Sequence, residues 1–271
     1  MTLENILEAK QYLEKIVQVK PEIAIILGSG LSPLADRLED SITIPYKDIP
    51  HFPVSTVKGH KGNLIVGKIK NKYVLCMQGR FHYYEGYTMQ QVTFPIRVMQ
   101  MLGIKTLIVT NAAGGVNKSF KAGDIMLITD HISRMPNPLI GPNEETLGER
   151  FPSMTNIYDK NLRQLALEFA QNNNITLKQG IYVGNTGPSF ETDAEYIMFR
   201  QLGISAVGMS TVPEVIVAAH AKMKVLGFSV ISNVFNEDIL QEPTHEEVLE
   251  NVSLANVKLI EILEGVIPKI D

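Results

Sequence analysis

The chain has a single cysteine, Cys76, so it cannot form a disulfide within itself, and this fits a reducing compartment. Cys76 lies inside the apolar run Tyr73-Val74-Leu75-Cys76-Met77, which reads as core and not as the setting of a nucleophile. No apolar stretch approaches the roughly 20 residues that a membrane span needs. The opening residues Met1-Thr2-Leu3-Glu4 lack the basic and apolar regions of a signal peptide, so the expectation is a cytoplasmic protein with no membrane partner. A basic excess is also missing: 25 Lys and Arg stand against 29 Asp and Glu, a net charge of −4. That argues against a nucleic-acid partner. The six histidines show no metal-ligand spacing, neither H-E-x-x-H nor a close Cys/His cluster, so no metal site is expected. There is no Ser/Gly-rich linker, composition shift or internal repeat, and residues 1–271 are read as one domain.

What is present is an alternation of apolar strands and amphipathic helices. Leu3, Ile6, Leu7, Leu13, Ile16 and Val17 recur at helical spacing, and Pro21 stops that helix. Ile23–Leu27 is a short apolar run ending on Gly28, which reads as a buried strand. Further strands are expected at Leu64–Val66, Tyr73–Met77, Thr106–Thr110, Ile125–Ile128, Ile181–Val183, Ala206–Met209 and Val225–Ile231. Helices are expected at Met89–Leu102, Asn161–Gln171, Ala194–Leu202, Val212–Met223 and about His245–Leu263, the last with Thr244 as N-cap. This pattern gives an α/β fold with a parallel or mixed central β-sheet flanked by helices. The stretch Arg134–Arg150 is the longest irregular region, and loops of that length are usually functional.

Ligands of open α/β sheets bind beyond the carboxyl ends of the strands. Six of these ends carry small or polar residues: Gly28-Ser29-Gly30, Gln78-Gly79-Arg80-Phe81-His82, Asn111–Gly115, Gly184–Glu191, Ser210-Thr211 and Ser232-Asn233. The first admits three readings. A dinucleotide turn is weakened because Pro33 replaces the third glycine of G-x-G-x-x-G, a plain tight turn stays open, and an anion-binding turn gains weight from Arg80 and His82. A guanidinium presents a fork that matches phosphate, and His60, between Gly59 and Gly62, would join it. Glu191 is either a helix N-terminal acid or an acceptor for a base, and Asn233 is either a turn residue or an amide donor to a ring nitrogen. Together, a carboxylate and an amide would recognise a purine edge.

With these residues in view the chain resembles the trimeric purine nucleoside phosphorylases from about Ile25 to Leu249. The blocks that carry the resemblance are Gly28–Leu31, Met77–His82, Tyr84–Tyr87, Val109–Gly115, Gly123–Met126, Gly187–Thr192, Val207–Glu214 and His245–Leu249. The resemblance implies a nucleoside phosphorylase-like fold and a homotrimer acting on a purine nucleoside and inorganic phosphate, with no cofactor. It implies that Ser29, His60, Arg80, His82, the Ala112 backbone and Ser210 hold phosphate. Tyr84 and Met209 would face the ribose, and His245 would reach its 5′-hydroxyl. Phe190, Glu191 and Asn233 would hold the base, and Phe151 would enter a neighbouring subunit's site. His82, Glu191 and Asn233 would act directly in catalysis. Ser32-Pro33, and Val234-Phe235 after Asn233, depart from the family pattern. The nearest rival is a methylthioadenosine phosphorylase, but that group commonly has Asp where this chain has Asn233. A nicotinamide-dependent oxidoreductase would lack its third glycine and gain nothing from Arg80, His82 or Glu191. A non-catalytic nucleoside-binding module would need no phosphate clamp.

Overall fold

The computed structural model describes residues 1–28, 30–54, 61–235 and 245–270, with 245–251 as backbone alone. Among the described residues nine strands form one mixed sheet in the order β2-β3-β4-β1-β5-β8-β7-β6-β9. They are β1 (Ile23–Leu27), β2 (Glu39–Pro45), β3 (Asn63–Ile69), β4 (Lys72–Gln78), β5 (Thr106–Gly115), β6 (Ile125–Arg134), β7 (Leu177–Asn185), β8 (Ile204–Gly208) and β9 (Lys224–Val234). Strand β9 also pairs with β5, so β5, β8, β7, β6 and β9 close on themselves and the other four strands extend from β5. The pairs β1–β4, β1–β5, β5–β9, β6–β7 and β7–β8 are parallel, and the remaining pairs are antiparallel.

The helices are α1 (Leu3–Ile16), α2 (Ser32–Ala35), α3 (Met89–Val92), α4 (Phe94–Met101), α5 (Lys160–Asn172), α6 (Asp193–Gln201), α7 (Val212–His220) and α8 (His245–Val266). Each amphipathic stripe packs on the sheet. Ile6, Ala9 and Leu13 of α1 join Phe94 and Val98 of α4 and Val215 of α7 in one apolar layer. Leu162 and Ala166 of α5 and Leu259 and Leu263 of α8 form the other. Cys76 is fully buried in that second layer, and burial pushes its thiol up to about 12, as expected of a core residue.

Three departures from the sequence reading have physical causes. Strand β2 escaped the pattern because it is an edge strand, charged at Glu39 and Asp40, with almost no buried face. The single helix expected over 89–102 is two, because Pro95 has no N–H to continue the first and Thr93 turns its hydroxyl back to the Met89 carbonyl at 2.8 Å. Most consequential, several segments read as loops beyond strand ends are strand. Asn111–Gly115 is the second half of β5, Ser232–Val234 completes β9, and Gly184-Asn185 completes β7. The β5–β9 pairing shifts register between Ala113 and Gly114, and only the glycines beyond that point, Gly114 and Gly115, pair with β8. The polar residues are therefore aimed by paired backbone and not by loops. The Thr244 cap lies outside the described residues.

Candidate active site

Arg80 follows the end of β4 and is 3 % exposed. A buried guanidinium needs a counter-charge. Glu214, in the first turn of α7, supplies it: Arg80 Nη1 donates to Glu214 Oε1 at 3.1 Å, and the Glu214 side chain is itself 4 % exposed. Arg80 also donates to the Thr211 hydroxyl at 3.1 Å and to the Thr110 carbonyl of β5. Asn111 of β5 donates to the same Thr211 hydroxyl at 2.8 Å.

Thr211 has φ +76°, and the Val212 N–H bonds back to the Ser210 carbonyl at 2.8 Å. This is a γ-turn of the rare, strained kind. Full burial and the two donors hold it, and it brings Ser210 Oγ to 3.2 Å from Thr211 Oγ1. The turn after β1 joins the cluster through Gly28, whose N–H donates to Thr110 Oγ1 at 2.8 Å. A Cβ at Gly28 would lie 2.7 Å from the Thr110 carbonyl oxygen, so only glycine allows that approach. The structure thus brings Arg80, Ser210 and Gly28 together around Thr110, Asn111 and Thr211. Ser29 and His60 lie outside the described residues.

His82 sits two residues beyond Arg80. Its Nδ1 is 3.0 Å from Glu85 Oε1, and its backbone N–H donates to the same oxygen at 2.8 Å. Glu85, with a side chain only 2 % exposed, therefore fixes the imidazole orientation. The His82 ring stacks on Tyr84 at 4.7 Å between centroids. Burial raises Tyr84's phenol pKa, the Glu85 charge adds to that, and Arg80 opposes it. Tyr84 and Met209 meet at Gly187: a Cβ there would lie 2.4 Å from Met209 Sδ and 3.2 Å from Tyr84 Cδ1. These two side chains, expected at the ribose, do share one wall. His245 opens α8, and its side chain lies outside the described residues.

At the other pole, Glu191 precedes α6, whose N-cap is Thr192 with Glu195 completing the capping box. Glu191 is thus placed just ahead of a helix start and is not itself the cap. Asn185, the last residue of β7, donates to Glu191 Oε1 at 2.7 Å. Asn233 lies in β9, so the turn reading of this residue fails. Ser232 Oγ lies 2.8 Å from Asn233 Oδ1 and 3.2 Å from the Ala113 carbonyl. Phe190 is 83 % exposed beside Glu191. Phe151 is 85 % exposed at the end of the long irregular segment, far from burial in its own chain.

The sequence reading missed Glu85, Asn185, Thr211 and Glu214. Glu214 carried a readable signal, a lone carboxylate in the apolar helix Val-Pro-Glu-Val-Ile-Val, which has to find a buried cation. Asn185 and Thr211 stood only among the polar strand-end segments, because their particular roles depend on which strands lie side by side.

These two poles sit on a chain that matches the family model described as phosphorylase superfamily over residues 22–268. It is 53% identical over 261 residues to purine nucleoside phosphorylase 1 of Geobacillus stearothermophilus, covering 96% of this chain and 95% of that one. It belongs to the purine nucleoside phosphorylases. The purine nucleoside phosphorylase of Schistosoma mansoni superposes with TM-score 0.94 at 44% identity, over 100% of this chain and 98% of that one, in complexes with inosine and with adenosine. A purine nucleoside phosphorylase is a pentosyltransferase, and the mixed sheet flanked by helices is the fold of the family. Among the described residues no group of three His, Cys, Asp or Glu side chains could hold a metal ion, and no helix is long and apolar enough to cross a membrane.

Proposed function

We propose that the protein transfers the ribosyl or deoxyribosyl group of 6-oxopurine nucleosides such as inosine and guanosine to inorganic phosphate, reversibly and without a cofactor or metal. The carrying observation is the base pole. Glu191 is held by Asn185 as an acceptor, and Ser232 occupies the Asn233 carbonyl, so the Asn233 N–H₂ end is the one a base meets. An acceptor for N1–H and a donor for N7 or O6 describe a 6-oxopurine. A methylthioadenosine phosphorylase loses ground because an adenine N1 has no proton for Glu191 to accept.

At the opposite pole the Arg80, His82, Ser210 and Gly28 elements, with Ser29, His60 and the Ala112 backbone, hold phosphate against C1′. Breaking the glycosidic bond develops positive charge on the sugar and negative charge on the base. Phosphate stabilises the first and the Glu191–Asn233 pair the second, and both interactions grow toward the transition state. Fixing phosphate beside C1′ also removes much of the cost of a bimolecular encounter, up to about 7–11 kcal/mol in favourable cases. Among the described residues no side chain is set up as a covalent nucleophile, so phosphate attacks C1′ directly, with inversion. Tyr84 and Met209 line the ribose, with His245 at its 5′-hydroxyl. The working form is a cytoplasmic homotrimer in which Phe151 closes the neighbouring subunit's site, alongside that subunit's own Phe190.

The test is product release from inosine, guanosine, adenosine and methylthioadenosine, with and without phosphate. The Schistosoma relative holds both inosine and adenosine, so turnover and not binding is the readout. Inosine and guanosine should be cleaved only with phosphate or arsenate present. Rapid hydrolysis in phosphate-free buffer, or equal turnover of adenosine, overturns the proposal.

A further inference from the structure

Tyr196 lies in α6 one turn past its N-cap Thr192, which follows Glu191, and it is 8 % exposed. Its ring stacks face to face on Phe235, with centroids 4.4 Å apart and planes 6° from parallel. Arg200, one turn further along α6, places its guanidinium 5.5 Å from the centre of the same Phe235 ring. Arg200 also donates to the Phe235 carbonyl at 3.3 Å and to the Val116 carbonyl at 3.0 Å. The Phe235 N–H donates to the Gly115 carbonyl at 3.0 Å. Phe235, a departure from the family pattern, therefore packs against α6. It is locked in place and serves as the platform for the Tyr196 ring.

The platform aims the phenol. A Cβ on Gly114 would lie 3.2 Å from Tyr196 Oη and 3.8 Å from Asn233 Oδ1, so hydroxyl and amide flank the same glycine. The Tyr196 hydroxyl thus stands with Asn233 on one side, while Glu191 is near enough to act on it. Burial pushes this phenol's pKa well up, and the charge and hydrogen bonding of Glu191 push it further.

We propose that Tyr196 is a specificity-determining residue of the base site: its hydroxyl donates to the Glu191 carboxylate, holding it as an acceptor and favouring purines that carry a proton on N1. This rests on the reading of Glu191 as the group that accepts from the base. Asn185 already donates to Oε1. A second donor fixes the orientation of the carboxylate, so that its remaining lone pairs face the base. A 6-oxopurine brings N1–H to that acceptor. Adenine brings a bare N1, which offers that acceptor no proton.

Tyr196→Phe keeps the stack and removes only the hydroxyl. Its kcat/KM for inosine should fall about tenfold near neutral pH, while that for adenosine is unchanged or rises. Phe235→Leu keeps the hydroxyl and loses the platform, so the inosine-to-adenosine ratio should fall in the same direction by a smaller factor. A parental inosine-to-adenosine ratio in Tyr196→Phe overturns the inference. An equal loss on both substrates overturns it too, since that is support of the fold alone. Glu191→Gln, assayed alongside, separates the failures. If it turns inosine over at the parental rate, the reading of the base site falls; if it is inactive while Tyr196→Phe is silent, only the role of Tyr196 falls.

Discussion

The two poles of the site are built in opposite ways. The anion pole is sunk in the protein: Arg80, Asn111, Thr211 and Glu214 are all under 5 % exposed and bonded to one another before any ligand arrives. The base pole is open: Glu191 is half-buried, Phe190 is 83 % exposed, and order comes from behind the carboxylate, from the Asn185 donor and the stacked column of Tyr196, Phe235 and Arg200. On the proposed function, the difference follows from what each pole would bind. Phosphate is small and charged, so its site gains most from fixed charges and dipoles that need no rearrangement. A purine is large and flat and enters from solvent, so its pocket has to keep a face exposed until it is covered.

The comparison breaks most visibly at Arg80. Arg80→Ala leaves Glu214 as a buried carboxylate with no counter-charge, which should cost about 3–5 kcal/mol of stability as well as phosphate-dependent turnover. Urea unfolding reads the first and the phosphate dependence of kcat reads the second. The double variant Arg80→Met/Glu214→Leu should regain most of the stability and none of the activity. If the single variant unfolds at the parental urea concentration, the pair is not the strut described above.

The base pole answers with specificity and not with stability. Asn233→Asp, once protonated, donates to N7 and also accepts from a 6-amino group. It should lower turnover of inosine and raise that of adenosine, a swing of about 1–3 kcal/mol in relative kcat/KM. The urea midpoint should barely move. An unchanged substrate ratio removes Asn233 from base recognition.

The smallest effect sharpens the contrast furthest. Phe151 is 85 % exposed, so Phe151→Ala should leave unfolding within about 0.5 kcal/mol of the parent. If it covers a neighbour's base, its KM for nucleoside should nevertheless rise by roughly tenfold, the scale of one aromatic anchor. Sedimentation alongside should show a trimer for both proteins, and a fully active monomer rules the shared site out.

Much of this was readable in the chain. The apolar runs of β1 and β4, the amphipathic stripe of α1 and the α/β order follow from side-chain periodicity, which is a local property. The residues Arg80, His82, Glu191 and Asn233 stood out because polar groups next to buried strands have to be satisfied or used. Reading failed where the signal was not local. β2 has no buried face to betray it, and the polar second halves of β5 and β9 look like loops until each is seen paired with the other.

By itself, then, the sequence determined which segments bury their apolar faces, which residues carry charge and hydrogen-bonding groups, and that these group at a few positions along the chain. Tertiary structure alone decided their partners. Glu214 lies 134 residues from Arg80 and Thr211 lies 100 from Asn111, yet each pair is in contact. Only the closure of β9 onto β5, and the packing of α7 against them, brings those groups together, because a hydrogen bond acts over about 3 Å and carries no record of separation along the chain.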